Sequence, residues 1–236
     1  MDLKLLIKKI ITGAIPDSIK RDLQALPSGT RLCYSQEGED MILERFFEGK
    51  EKGFFVDIGA HHPIRFSNTY HFYKKGWRGI NVDATPGSMN AFKAIRPDDI
   101  NIEMGITKQE GELTYHIFQE PALNTFSEER VKQLLDETPF KLERTVKVKT
   151  KTLGQILEEN VAEKKKIDFL TIDVEGLDLE ILQTNNWEKF KPVFILIEDL
   201  NGSFENITQS KLYMYLKPLG YSVVAKSHNT VFFRRN

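Results

Sequence analysis

The stretch that most constrains this chain is Gly53-Phe54-Phe55-Val56-Asp57-Ile58-Gly59-Ala60-His61-His62-Pro63. Phe54 to Ile58 is a short apolar run with one acid near its end, which reads as a buried strand. Gly59 then opens a turn in a conformation that a β-carbon would penalise. A strand running into such a turn belongs to an open α/β sheet, where ligands bind just beyond the carboxyl ends of the strands. Asp57, Gly59 and Ala60 therefore fall where a cofactor is expected.

The pattern repeats downstream. Ser67 to Lys75 reads as a helix capped by Ser67 and ended by Gly76, Arg78 to Asp83 as a second strand ending in an acid, and Pro86 as the opening of another helix. Asp99 to Met104 is a third strand and Leu113 to Phe118 a short extra one. A loop, 119–126, suits a lid or a substrate-facing insertion before a polar helix, Ser127 to Glu137. Val146 to Lys149 alternates like an exposed strand, and Thr152 caps a helix from Leu153 to Asn160. Two more buried strands, Ile167 to Ile172 and Val193 to Ile197, end in Asp173-Val174-Glu175-Gly176 and Glu198-Asp199, and Thr208 opens a last helix. Tyr221 to Ala225 and Thr230 to Phe233 are separated by too few residues for a parallel crossover, so they pair antiparallel. The expected fold class is α/β, a mostly parallel doubly wound sheet with a C-terminal antiparallel hairpin.

Ahead of this domain, taken as residues 35–236, an N-terminal helical segment is expected over residues 1–34. In residues 1–15, Leu3, Leu6, Ile7, Ile10 and Ile11 recur at helical spacing. That run is too short and too charged to span a bilayer; it packs on its own domain or a partner, or makes a peripheral membrane contact. Ser35 reads as the cap of a helix from Met41 to Phe47, with Glu37 and Glu39 suited to its positive end. Gln36 and Asp40 have no such duty and are candidates for cofactor contact.

Acidic and basic residues nearly cancel, leaving a formal charge of -1, which argues against nucleic acid as a partner. The single cysteine, Cys33, excludes an internal disulfide framework and suits a cytoplasmic location.

The turn at Gly59 lacks the second and third glycines that a dinucleotide pyrophosphate needs, and Pro63 removes a donor. A cofactor with an amino-acid tail, S-adenosylmethionine, needs only a close turn near its carboxylate and an acid near its ammonium. Asp83, followed by Ala84, stands where a carboxylate accepts ribose hydroxyls, or else caps the helix ahead of Pro86. Asp173, Glu175, Glu198 and Asp199 gather acids at adjacent strand ends, which is costly unless they bind something positive or take up a proton.

Phe55-Val56-Asp57-Ile58-Gly59-Ala60, the strand ending in Asp83, and above all Ile167-Asp168-Phe169-Leu170-Thr171-Ile172-Asp173-Val174-Glu175-Gly176 with Glu180 and Leu182 resemble the FkbM family of S-adenosylmethionine-dependent methyltransferases. The likeness runs from about Ser35 to about Asp199. It extends to a subgroup with Ser35-Gln36-x-Gly38-Glu39-Asp40, Ala60-His61-His62-Pro63, Ser67-Asn68-Thr69 and Ala122-Leu123-Asn124-Thr125-Phe126. His62-Pro63 departs from the commoner pattern, in which a further glycine often stands. The resemblance implies a Rossmann-like class I methyltransferase fold, to which the terminal hairpin also points. It further implies O-methylation of a hydroxyl on a sugar, nucleotide sugar, glycan or other secondary metabolite.

Methyl transfer to a hydroxyl needs alignment behind the sulfonium methyl and a proton acceptor. His61 or His62 is the expected base, with Asp173 as the alternative or the orienting partner. Gln36, Asp40, Asp57, Gly59, Ala60, Asp83, Ala84, Asp173 and Glu175 are the expected cofactor contacts, and Asn124 and Thr125 the expected substrate contacts. Acid oxygens with a histidine would also suit Mg²⁺ or Mn²⁺, although no ligand spacing is diagnostic. A nicotinamide-dependent sugar-modifying oxidoreductase and a non-catalytic binding protein on the same fold are the competing readings.

Overall fold

The computed structural model describes residues 31–199 and 203–236. Expectations for residues 1–30, including the amphipathic helix, lie outside the described residues. Cys33–Asn236 forms one compact unit.

Helix α1, Glu39–Phe46, precedes the central strand β1, Phe54–Ile58. It starts from Gly38, whose φ of 89° suits a glycine, and not from Ser35. Ser35 instead donates its hydroxyl to Asp40 at 2.8 Å. Then follow α2, Tyr70–Lys74; β2, Arg78–Asp83; α3, Ser88–Ile95; and β3, Ile100–Glu103. After an insertion come α5, Leu153–Asn160; β7, Phe169–Ile172; α6, Asp178–Leu182; and β8, Phe194–Glu198. The chain closes with α7, Lys211–Leu216; β9, Tyr221–Lys226; and β10, Thr230–Arg235. Thr152 caps α5 in a reciprocal capping box with Gln155.

The seven strands lie in the order β3-β2-β1-β7-β8-β10-β9. The first five are parallel and β10 is antiparallel to both its neighbours. The reversed strand is thus inside the sheet and β9 is the edge. Strand order reverses between β1 and β7, which opens a crevice at their carboxyl ends.

Alternation along β1 divides the core. Phe54, Val56 and Ile58 join one apolar layer with Leu170, Ile172 and Ile195. Phe55 joins the other with Phe72, Trp77 and Phe169. Asp57 shares the face of Phe55, away from Ile58.

The insertion is a second sheet: β4, Gly105–Ile106; β5, Gly111–Phe118; and β6, Leu142–Lys151, ordered β4-β6-β5. Helix α4, Glu128–Glu137, capped by Ser127, joins β5 to β6. The sequence shows β5 and part of β6 but not their pairing, which runs from Gly111 opposite Thr150 to Phe118 opposite Leu142.

Candidate active site

The turn after β1 packs directly on the end of β7. Gly59 has φ 81°, and a β-carbon there would overlap the carbonyl oxygen of Asp173. The amides of Gly59 and Ala60 both donate to the Val82 carbonyl, at 2.9 and 3.0 Å. His61 donates its amide to Asp83 Oδ2 at 2.9 Å, and His62 donates its amide to the Ala60 carbonyl. Every amide of the turn is therefore engaged within the protein, and the turn contributes close approach, not free donors.

Above it lies a pocket walled by Val82, Ala84, Met104 and Ile106 on one side and by Tyr115, Asn124 and Phe126 of the insertion on the other. Asp83 lines it and accepts from the amide of Thr85 as well as from His61. Burial raises the Asp83 carboxyl, and hydrogen bonds from Thr85 and His61 oppose that. Tyr115 and Phe126 pack ring to ring, 4.5 Å between centroids. Tyr115 is a wall residue that sequence reasoning missed, because nothing local shows that β5 folds back over Asp83.

A second cleft adjoins the pocket and shares Gly59, His61, Ala122, Asp173 and Glu175 with it. Gln36, Arg65, Phe66, Glu120, Leu123, Phe140 and Glu198 complete this cleft. Asp173, Glu175 and Glu198 present carboxylate oxygens within 4.8 Å of one another. Glu175 is paired, its Oε2 accepting from Arg130 Nε at 3.0 Å and Nη2 at 2.8 Å. No hydrogen bond or ion pair from the described residues reaches the carboxylates of Asp173 and Glu198. Water reaches Asp173 in the open cleft, yet protein surrounds it closely enough for burial, and then the Glu198 charge, to hold it well above the usual carboxylate range. Burial and the charges of Glu175 and Asp178 push Glu198 up to about 8. Asp199 does not join the group, and neither histidine does.

Several expected contacts stand elsewhere. Asp57 is buried behind the turn, where its Oδ2 accepts from Thr69 Oγ1 at 2.7 Å, and burial pushes it up to about 6. Asp40 is fully buried and ties down residues 33–35, accepting from the Tyr34 amide at 2.7 Å and from Ser35 Oγ. Ala60 packs in the core against Met89 and Phe92. His62 accepts the amides of Ile64 and Arg65 on Nδ1, a loop-shaping role outside the cleft. Asn124 faces the pocket above the turn with its amide engaged, accepting from Phe118 N and donating to Thr85 Oγ1. Thr125 is buried and donates to the Glu175 carbonyl. His61 does line both cavities, and burial, then Arg65, lowers it to about 4, so its ring is neutral at pH 7.

The family model described as Methyltransferase FkbM domain matches residues 57–223. The chain belongs to the FkbM methyltransferase family. None of the curated proteins matches this methyltransferase. Among solved structures it is similar to a TehB-like SAM-dependent methyltransferase from Corynebacterium glutamicum, at 9% identity over 93% of this chain and 96% of that one, with a TM-score of 0.42. It is also similar to an O-methyltransferase from Bacillus cereus in complex with SAH, at 11% identity over 97% of this chain and 96% of that one, with a TM-score of 0.40. Membership and strand order together make it an S-adenosylmethionine-dependent methyltransferase of Rossmann-like fold. The pocket above the turn has the chemistry such a donor needs, apolar walls for a base and a carboxylate, Asp83, for a ribose, and is named the cofactor-side pocket on that ground. Among the described residues no helix is long and apolar enough to cross a membrane.

Proposed function

We propose that this FkbM-family protein transfers the methyl group of S-adenosylmethionine to a hydroxyl of a sugar, nucleotide sugar or glycan, with Asp173 accepting the hydroxyl proton. The observation that carries this reading is the position of Asp173, which lines both the cofactor-side pocket and the adjoining cleft. Asp83, Ala84 and Tyr115 hold the adenosyl part in this reading, and Gly59 lets the donor approach the end of β7. When bound, the donor supplies an activated methyl on a sulfonium.

A hydroxyl is a weak acid, so the base must hold its proton near the working pH. Asp173 and Glu198, both raised and close together, meet that need better than His61, lowered to about 4. Repulsion keeps one proton on such a pair, and the acceptor's proton joins it as the oxygen attacks.

The test combines isothermal titration with S-adenosylhomocysteine and turnover with hydroxyl acceptors. Asp83→Ala should lose cofactor binding. Asp173→Asn should keep it while losing about 10²-fold or more in turnover. An Asp173→Asn variant with full turnover would remove the aspartate from this role. The three neighbouring carboxylates also suit a hard divalent ion. Loss of turnover on chelation, restored by Mg²⁺ or Mn²⁺, would assign a metal to them.

A further inference from the structure

Four non-glycine residues among those described have a left-handed backbone, and three of them, His61 (φ 52°), Phe66 (φ 57°) and Glu175 (φ 54°), line the cleft beside the cofactor-side pocket. The conformation is disfavoured at any residue with a β-carbon and persists only where surrounding structure enforces it. At Phe66 the result is an apolar ring kept 40% exposed on the cleft rim. The Arg65 guanidinium lies 4.2 Å from its centroid, and the His61 ring lies 22° from parallel with it. Phe140, just beyond α4, is a second exposed ring in the same cleft.

The charges of this cleft are unevenly answered. Arg65 is held by Glu120 at 3.1 Å, and nearby Arg130 by Glu175. Asp173 and Glu198 on the floor have no partner among the described residues. A ligand bearing hydroxyl or ammonium donors finds acceptors here, whereas an anion finds the negative charge that the singly protonated Asp173–Glu198 pair keeps and, among the described residues lining the cleft, no cation without an acidic partner.

We propose that this cleft holds the methyl acceptor as a neutral or amino sugar, its C–H face against Phe66 and its donors on Asp173 and Glu198, and that it rejects rings carrying a carboxylate. This rests on the methyltransferase reading above and adds the charge class of the acceptor. It also moves substrate recognition from Asn124 and Thr125 to Phe66 and the carboxylate floor.

The experiment uses the full chain saturated with S-adenosylhomocysteine, titrated with methyl glucoside, glucosamine and glucuronic acid and followed by saturation-transfer NMR. Wild type is compared with Phe66→Ala and Phe66→Tyr, and homocysteine-nucleoside binding is measured in each as the check on folding. Methyl glucoside or glucosamine should bind wild type and Phe66→Tyr, and bind Phe66→Ala about fivefold more weakly, the value of one aromatic face. Glucuronic acid should bind at least about tenfold more weakly than glucosamine, the effect of placing like charges together. Glucuronic acid binding as well as glucosamine, or sugar binding indifferent to Phe66→Ala, overturns the proposal. Cofactor binding with no sugar binding overturns the proposal alone, and absence of cofactor binding in wild type overturns the reading beneath it.

Discussion

A methyl group added at Gly59 would test the join between the two central strands. The left-handed backbone alone costs alanine about 1–2 kcal/mol, and the new β-carbon would overlap the Asp173 carbonyl oxygen. Gly59→Ala should therefore lose more stability than the backbone cost and lose S-adenosylhomocysteine affinity with it, both measurable by urea denaturation and calorimetry. A variant within about 0.5 kcal/mol of wild type, the range of an ordinary surface change, would mean that the ends of β1 and β7 can part without cost. At this scale the sequence was a fair guide to place and a poorer one to direction. Gly59, Asp83, Ala84, Asp173 and Glu175 line the pocket above the turn, at the strand ends where the sequence puts them, and Gln36 lines the adjoining cleft. Asp57 stands at the same strand end, but the two-residue period of β1 turns it to the face of Phe55. That alternation was present in the sequence, whereas the hydrogen bonds that occupy Asp40, His62, Asn124 and Thr125 were not.

Between elements, one buried cation fastens the loop that shapes the cleft. Arg96, at the end of α3, is wholly buried, with Nε 2.9 Å from Asp99 Oδ2 and Nη1 2.9 Å from Thr69 Oγ1. Its Nη2 lies equally near Asp99 Oδ2 but off the hydrogen-bonding direction. Thr69 donates onward to Asp57, and Asp99 accepts the Gly79 amide from β2. The chain of contacts thus links α3, β1, β2 and the segment that carries Phe66. Replacing Arg96 by Met leaves Asp99 buried without its counter-charge, for which about 3–5 kcal/mol is the expected cost. Denaturation of Arg96→Met against wild type measures it, and a loss below about 1 kcal/mol would show that Asp99 protonates cheaply instead. The order of elements in this core was legible because strand, cap and helix signals coincide, as at Thr152 and α5, although the last helix opens at Ser210 and not at Thr208. The second sheet was not, since pairing β5 with β6 brings together segments separated by α4, and local periodicity carries no record of such pairing. Tyr115 reaches the cofactor-side pocket only through that pairing.

For the whole molecule, gathering acids at the strand ends makes stability depend on pH in an unusual direction. Burial pushes Asp57 to about 6, Asp178 to about 7 and Glu198 to about 8. A carboxyl raised by folding contributes its full stability below its unfolded value and loses it as pH rises through the folded one. For Glu198 that window runs from about 4.5 to about 8. The groups acting on it are Asp173 at the end of β7, Glu175 and Asp178 beyond it, Glu37 ahead of α1, and Arg130 on α4, which alone opposes the rise. Glu198→Gln removes this titration, and it also removes the charge that helps to hold Asp173 up. The variant should match wild type closely at pH 5 and be the more stable of the two at pH 8.5, as measured by urea denaturation without cofactor. A stability difference that stays constant across that range would mean that Glu198 ionises without cost in the folded chain. The carboxylate pair could then not keep the proton that the proposed transfer needs.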